Sequence, residues 1–245
     1  MTPNTKVQQM LCPVCRLKLG NGDGTFSGVF ISKNEILTAY HGVADAIKRI
    51  GLQSQATEVR HPITVEVFDY ASKDKPKTYK AEIVLYDEAQ DIALLKASKA
   101  NCEYPALLIP EEAIELCEIF DEVYTVGASL GHVPIPSRGI ITYLNEEYAY
   151  GNYWMTNASI AVGNSGGGVF RYNPKTKKHE LTGITTHVHA DDEGDVIQIM
   201  THMVSFVPPK VLHAFLKLRA ETLSTSSINT KVVSPPKVSK KSKKA

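Results

Sequence analysis

A chain of 245 residues, 43% hydrophobic and 22% charged, has ordinary globular composition and enough length for one large domain or two small ones. No apolar run reaches the ~18–20 residues of a membrane-spanning helix. The N-terminal MTPNTKVQQMLCPVC lacks the apolar core of a secretory leader, so the chain reads as cytoplasmic, or as a piece released from something longer.

Residues 1–19 read as an extension ahead of the first structured unit. It holds Cys12 and Cys15, a Cys-x-x-Cys pair that would make half a zinc site. No second pair completes it, so neither a metal nor a cofactor is expected. Cys102 and Cys117 read as small buried apolar residues. Short strand-like runs follow at Thr25–Ile31, Glu35–Thr38, Ile63–Tyr70, Thr78–Tyr86 and Ile92–Lys96. A second set lies at Val123–Val126, Gly139–Leu144, Tyr153–Thr156, Gly168–Tyr172, Leu181–Thr186 and Val196–Val204. Each is β-branched or aromatic and bounded by Gly, Pro, Asn or Asp. Residues 101–118 form a natural connection between the two sets. Val43, Ile47 and Ile50 stand at near-helical spacing and predict a helix over Gly42–Ile50. A longer helix is predicted over Pro209–Leu223, where Val211, Leu212, Phe215, Leu216 and Leu218 make one apolar stripe behind an initiating proline.

From Leu223 onward six lysines and no acid stand against a total of +1, which leaves the body at about −5. This Ser-, Thr-, Pro- and Lys-rich tail, 223–245, reads as disordered. It serves either solubility or a weak, salt-sensitive contact with nucleic acid or an acidic surface. Many short strands and almost no helix before residue 208 predict an all-β sandwich or barrel.

Three stretches carry chemistry: Thr38-Ala39-Tyr40-His41-Gly42 after a strand, Asp91 opening the apolar run IALLK, and Gly163-Asn164-Ser165-Gly166-Gly167. Each alone has a plain structural explanation; together they make a set. A serine hydroxyl is a poor nucleophile unless a base lies within hydrogen-bond reach. Imidazole titrates in the range to take and return its proton. A carboxylate sets the imidazole tautomer, and glycines leave backbone N–H groups to face an oxyanion.

GTFSGVFISKNEILTAYHGV, DIALLKA and TNASIAVGNSGGGVF…LTGITT, in that order, resemble the motifs of trypsin-like (chymotrypsin-fold) serine proteases, closest in flavour to the HtrA/Deg group. VGASLG followed by SRGIIT extends the likeness, which runs from about Thr25 to Leu216. The resemblance implies two six-stranded antiparallel β-barrels with a C-terminal helix: residues 20–100 for the first, 119–222 for the second. It implies His41 as general base, Asp91 as orienting acid with Asp87 as its rival, and Ser165 as nucleophile. The oxyanion hole falls on Gly163 and Ser165, with Asn164 between them. Thr186 matches a hydroxyl that backs the acid. The substrate would be a polypeptide.

The sequence departs from the family at Asn164, where digestive-type relatives have Asp, and at Gly168, where Pro is usual. Arg60–Tyr79 looks like an inserted hairpin. The residue six before the nucleophile, Ser159, matches the floor of the primary pocket, with Ile160 on its wall. A serine there cannot pair with Lys or Arg, so neutral, apolar P1 residues are expected. Thr186, His187 and Val188 match the edge that pairs with extended substrate, and Thr185 the substrate-reading position where virus-type relatives carry a His. His187, with His189 and His202 as further candidates, keeps open a virus-type protease cutting after Gln or Glu. A non-catalytic binding module on the same fold is the remaining alternative, opposed by the intact His41, Asp91 and Ser165.

Overall fold

The computed structural model describes residues 5–20, 24–50, 57–71, 75–148, 151–193 and 196–228. In the first half these residues form β1 (Val14–Leu19), β2 (Thr25–Phe30) and β3 (Glu35–Thr38). A helical turn α1 (Tyr40–Val43) follows, then β4 (Ile47–Ile50), β5 (Thr57–Arg60), β6 (Ile63–Val67), β7 (Lys77–Asp87) and β8 (Ile92–Lys96). Strands close in the order β1-β2-β3-β8-β7-β6. After α2 (Glu111–Ile114) come β9 (Glu122–Gly127), β10 (Ile135–Tyr148), β11 (Gly151–Thr156), β12 (Gly168–Asn173), β13 (Lys178–Glu193) and β14 (Val196–Val207). These close in the order β10-β11-β14-β13-β12-β9, and α3 (Pro209–Ile228) ends the described chain. The two antiparallel six-stranded barrels are those the resemblance implies.

Side-chain alternation explains why β8 is apolar throughout. Ala93 and Leu95 point into the first barrel with Phe30 and Ile36, while Ile92 and Leu94 point out of it with Val29 and Leu37. The outward set meets Val126, Phe170 and Ile184 of the second barrel and Leu212 and Phe215 of α3. Successive residues of a strand face opposite sides, so a run buried on both sides cannot alternate with polar residues. This seam locks the barrels together beneath the cleft described below.

Four expectations change. Residues 14–19 are not part of an extension: β1 closes the first barrel by pairing with β2 and β6, Arg16 opposite both Ser27 and Glu66. The helix expected over 42–50 shrinks to α1 and a short turn at Ala44–Ala46, because Ile47–Ile50 pair with Thr57–Arg60. That β4–β5 hairpin is the element outside the barrel; Ile63–Val67 and the start of Lys77–Asp87, which fall within the Arg60–Tyr79 stretch read above as an inserted hairpin, are barrel strands. The C-terminal helix runs past Leu223 to Ile228. Beyond it, the lysine-rich stretch and its nucleic-acid expectation lie outside the described residues.

Candidate active site

Pairing of β3 with β8, Thr38 opposite Ala93, brings the end of one strand to the start of the other. His41 on α1 and Asp91 on the turn before β8 therefore meet. Asp91 takes a left-handed backbone, φ 49°, which Asp tolerates better than most residues. One carboxylate oxygen, Oδ1, accepts the His41 backbone N–H at 2.8 Å, and Oδ2 lies 2.8 Å from His41 Nδ1. An ionised carboxylate has no proton to give, so Nδ1 carries the hydrogen, and Nε2 is the nitrogen that has a lone pair whenever the ring is neutral. The Asp91 side chain is 16% exposed and that of His41 50%, so the carboxylate is covered and the imidazole is open to the cleft. Asp87, the rival acid, instead accepts the Gln90 N–H at 3.1 Å in the preceding turn.

Ser165 lies on the turn between β11 and β12, and the geometry accounts for its glycines. Gly163 has φ 98° and Gly166 φ 83°. A Cβ on Gly166 would come within 2.2 Å of Ser27 O and Thr38 Oγ1, and one on Gly163 within 2.5 Å of Ala128 O. The turn is pressed against the first barrel, where the Ser27 N–H donates to Ser165 O at 2.8 Å. Gly166→Ala is expected to destabilise the fold by roughly 2–4 kcal/mol, combining a left-handed backbone with overpacking. A thermal melt checks this; an unchanged Tm would contradict the tight contact.

The Ser165 hydroxyl donates to Thr186 O at 3.1 Å. It shares one cleft of about 560 Å³ with His41. Among the described residues, no acceptor meets the amides of Gly163 and Ser165. Asn164 differs from the expectation that grouped it with them. Its N–H donates to Ala161 O at 3.1 Å and its Oδ1 accepts from Ser129 Oγ at 2.7 Å, so it braces the turn from behind.

Around Ser165 the cleft is walled by Ile160, Ala161, Val188, Ile199 and Thr201. Ser159, expected at its floor, is exposed and does not line it. Ile160 does, and its N–H donates to Thr201 O. Thr185 is buried, its Oγ1 donating to Asn164 O at 2.6 Å. Thr186 does not back Asp91: its hydroxyl meets His187 Nδ1 at 2.9 Å and Ser205 O at 3.2 Å. Past Ile184 the pairing of β13 with β12 ends, while His187 and Val188 stay paired with Ser205 and Val204 of β14. One edge of Thr186–Val188 therefore faces the cleft beyond the end of the β12 ladder. His187 lines the cleft with its ring edge-on to Tyr153, and burial holds it below the usual histidine range. His189 is bound to Glu146 at 2.9 Å, and the exposed His202 lies off the cleft.

Cys15 points into the first barrel, where burial pushes its thiol well above the usual range and Sγ reaches Gly28 O at 3.4 Å. Cys12 stays half-buried outside that core. Among the described residues, no three His, Cys, Asp or Glu side chains are grouped to hold a metal.

Sequence reasoning passed over Ser27, whose buried hydroxyl donates to Gly163 O at 2.7 Å across 136 positions. It reads as one more position of a strand, and no local spacing reveals so distant a partner.

Comparison with known proteins agrees with this architecture. The chain is 37% identical over 116 residues to the magnetosome formation protease MamE of Magnetospirillum gryphiswaldense, covering 45% of this chain and 14% of that protein. It is 28% identical over 182 residues to the "Probable periplasmic serine protease do/HhoA-like" of Haemophilus influenzae, covering 71% of this chain and 33% of the relative. The chain thus spans a third or less of the length of these relatives. The HtrA-type protease AlgW with tripeptide superposes with a TM-score of 0.66 at 19% identity, over 90% of this chain and 63% of that one, and shares its fold. The cytoplasmic setting expected from the N-terminus does not stand, since the Haemophilus relative is named periplasmic. The trypsin-like peptidase domain profile matches residues 26–175, more than half of the sequence, and the chain accordingly belongs to that family.

Proposed function

We propose that the protein is a serine endopeptidase in which Ser165 attacks the scissile carbonyl, His41 takes and returns the proton, and Asp91 orients the imidazole. The observation that carries this reading is the two-point grip of Asp91 on His41, which leaves Nε2 as a base in the cleft that Ser165 shares. Rotation of the Ser165 hydroxyl away from Thr186 O presents its proton to that base. Hydrogen bonds of this kind often tighten only with substrate bound. The amides of Gly163 and Ser165 then receive the oxyanion. An extended polypeptide adds to the open edge at Thr186–Val188 as a β-strand does.

The wall of Ile160, Ala161, Val188, Ile199 and Thr201 favours small or medium neutral P1 residues. Burial disfavours a charged His187 ring, which suits an acidic P1 side chain poorly. The test is labelling with a fluorophosphonate probe, followed by cleavage of a peptide library. Labelling of Ser165 with cleavage after residues such as Ala or Val is expected. Cleavage after Lys, Arg or Glu would overturn the pocket assignment, and a folded protein that never labels would overturn the enzymatic one.

A further inference from the structure

The peptide that carries the Gly163 N–H is held in place by a short turn that lies outside both barrels. A trans peptide is planar, so the Val162 carbonyl and the Gly163 N–H point in opposite directions. Val162 O accepts the Leu130 N–H at 2.6 Å. With the carbonyl drawn toward residue 130, the Gly163 N–H is turned the other way. Inverting this peptide would break the bond and reverse the N–H.

Leu130 belongs to a tight turn, Ser129–Gly131, that is not part of either barrel. Its backbone is left-handed, φ 51°, an uncommon choice for a leucine that surrounding contacts must impose. Two of those contacts come from the first barrel. The Arg16 guanidinium donates Nη1 to Gly131 O while its Nε is held by Glu66. The Ser27 hydroxyl, fully buried, accepts the Ala128 N–H at 2.8 Å and donates to Gly163 O at 2.7 Å. A hydroxyl has one proton to give and lone pairs to receive with, and Ser27 uses both functions here. Segment 128–131 is thereby pinned at each end by a first-barrel side chain, and Gly163 is tied to the same hydroxyl.

We propose that Arg16 and Ser27 are positioning residues that clamp segment 128–131 and so fix the Val162–Gly163 peptide with its N–H available to an oxyanion. The proposal rests on the peptidase reading for its kinetic consequence but not for its structural one. The test uses the full chain with Arg16→Ala and Ser27→Ala. Arg16 is a partly exposed side chain, so its variant keeps the test available if the buried Ser27→Ala fails to fold.

Amide hydrogen exchange of Leu130, followed by NMR, is expected to quicken at least ~10-fold in each folded variant, with the β8 amides unchanged. The kcat for peptide cleavage is expected to fall ~10- to 100-fold with KM nearly constant, since an oxyanion donor acts on the transition state. Leu130 exchange as slow as in the parent protein would overturn the clamp. Faster exchange with undiminished kcat would overturn its positioning role. If the parent itself shows no turnover, the peptidase reading fails, and Leu130 exchange still decides the clamp.

Discussion

Ser165→Ala is expected to lower kcat on the order of 10⁶-fold, the scale on which a Ser–His–Asp peptidase depends on its nucleophile. The fold should survive. Among the described residues the hydroxyl makes a single bond, to Thr186 O, whereas the turn is held by backbone groups. Ser27 N–H to Ser165 O, Gly166 N–H to Thr185 O and Gly167 N–H to Asn164 O all remain in the variant. Losing one partly buried hydroxyl changes stability by about 1 kcal/mol. Steady-state hydrolysis of a peptide substrate beside a thermal melt is the measurement. Retained turnover in the alanine variant would remove Ser165 from the chemistry; a collapsed melt would mean that its hydroxyl holds the turn.

Asp91→Asn is expected to reduce kcat ~10⁴-fold in a folded protein, as the same change does in a well-characterised serine protease. The cause can be read from the two bonds. The carboxylate accepts twice, from the His41 N–H and from Nδ1–H. An asparagine has one oxygen to accept with. If that oxygen keeps the backbone N–H, its NH₂ faces Nδ1, which must then accept, and the ring proton moves to Nε2. A histidine protonated at Nε2 cannot take the proton of Ser165. Because the loss is one of tautomer, it should appear in kcat with little change in the melt. Asp87→Asn is the control and should leave turnover within a few-fold, its carboxylate being engaged with the Gln90 amide. If Asp87→Asn were the damaging variant, the orienting acid would have been misassigned.

Much of the architecture was legible because strands report themselves locally. The runs at Thr25, Glu35, Ile92, Val123 and Gly168 are β-branched or aromatic between turn residues, and each became a barrel strand. β1 was missed because VCRLKL alternates with charges directly behind a Cys-Pro pair. It is a strand only because Cys15 and Leu17 fill the barrel while Arg16 and Lys18 reach Glu66 on β6. Gly42–Ile50 failed for the opposite reason. Its apolar spacing fits a helix, and the competing partner, Thr57–Arg60, has to be supplied by the fold. In the cleft, the order of the His41, Asp91 and Ser165 stretches was visible as residue types with flanking strands. The pocket was not, because counting six residues back from Ser165 presumes a loop path, and that loop turns Ser159 outward.

The sequence by itself therefore determined most of the element types, the all-β class and the glycine-rich turn around Ser165, since these depend on propensity and spacing within a few residues. Only the tertiary structure decided which groups meet. Asp91 on His41, Ser27 on Gly163 and Arg16 on Gly131 join residues 50, 136 and 115 positions apart. Such contacts follow from barrel closure and from the seam between the barrels, where strand register sets distances that no local pattern encodes.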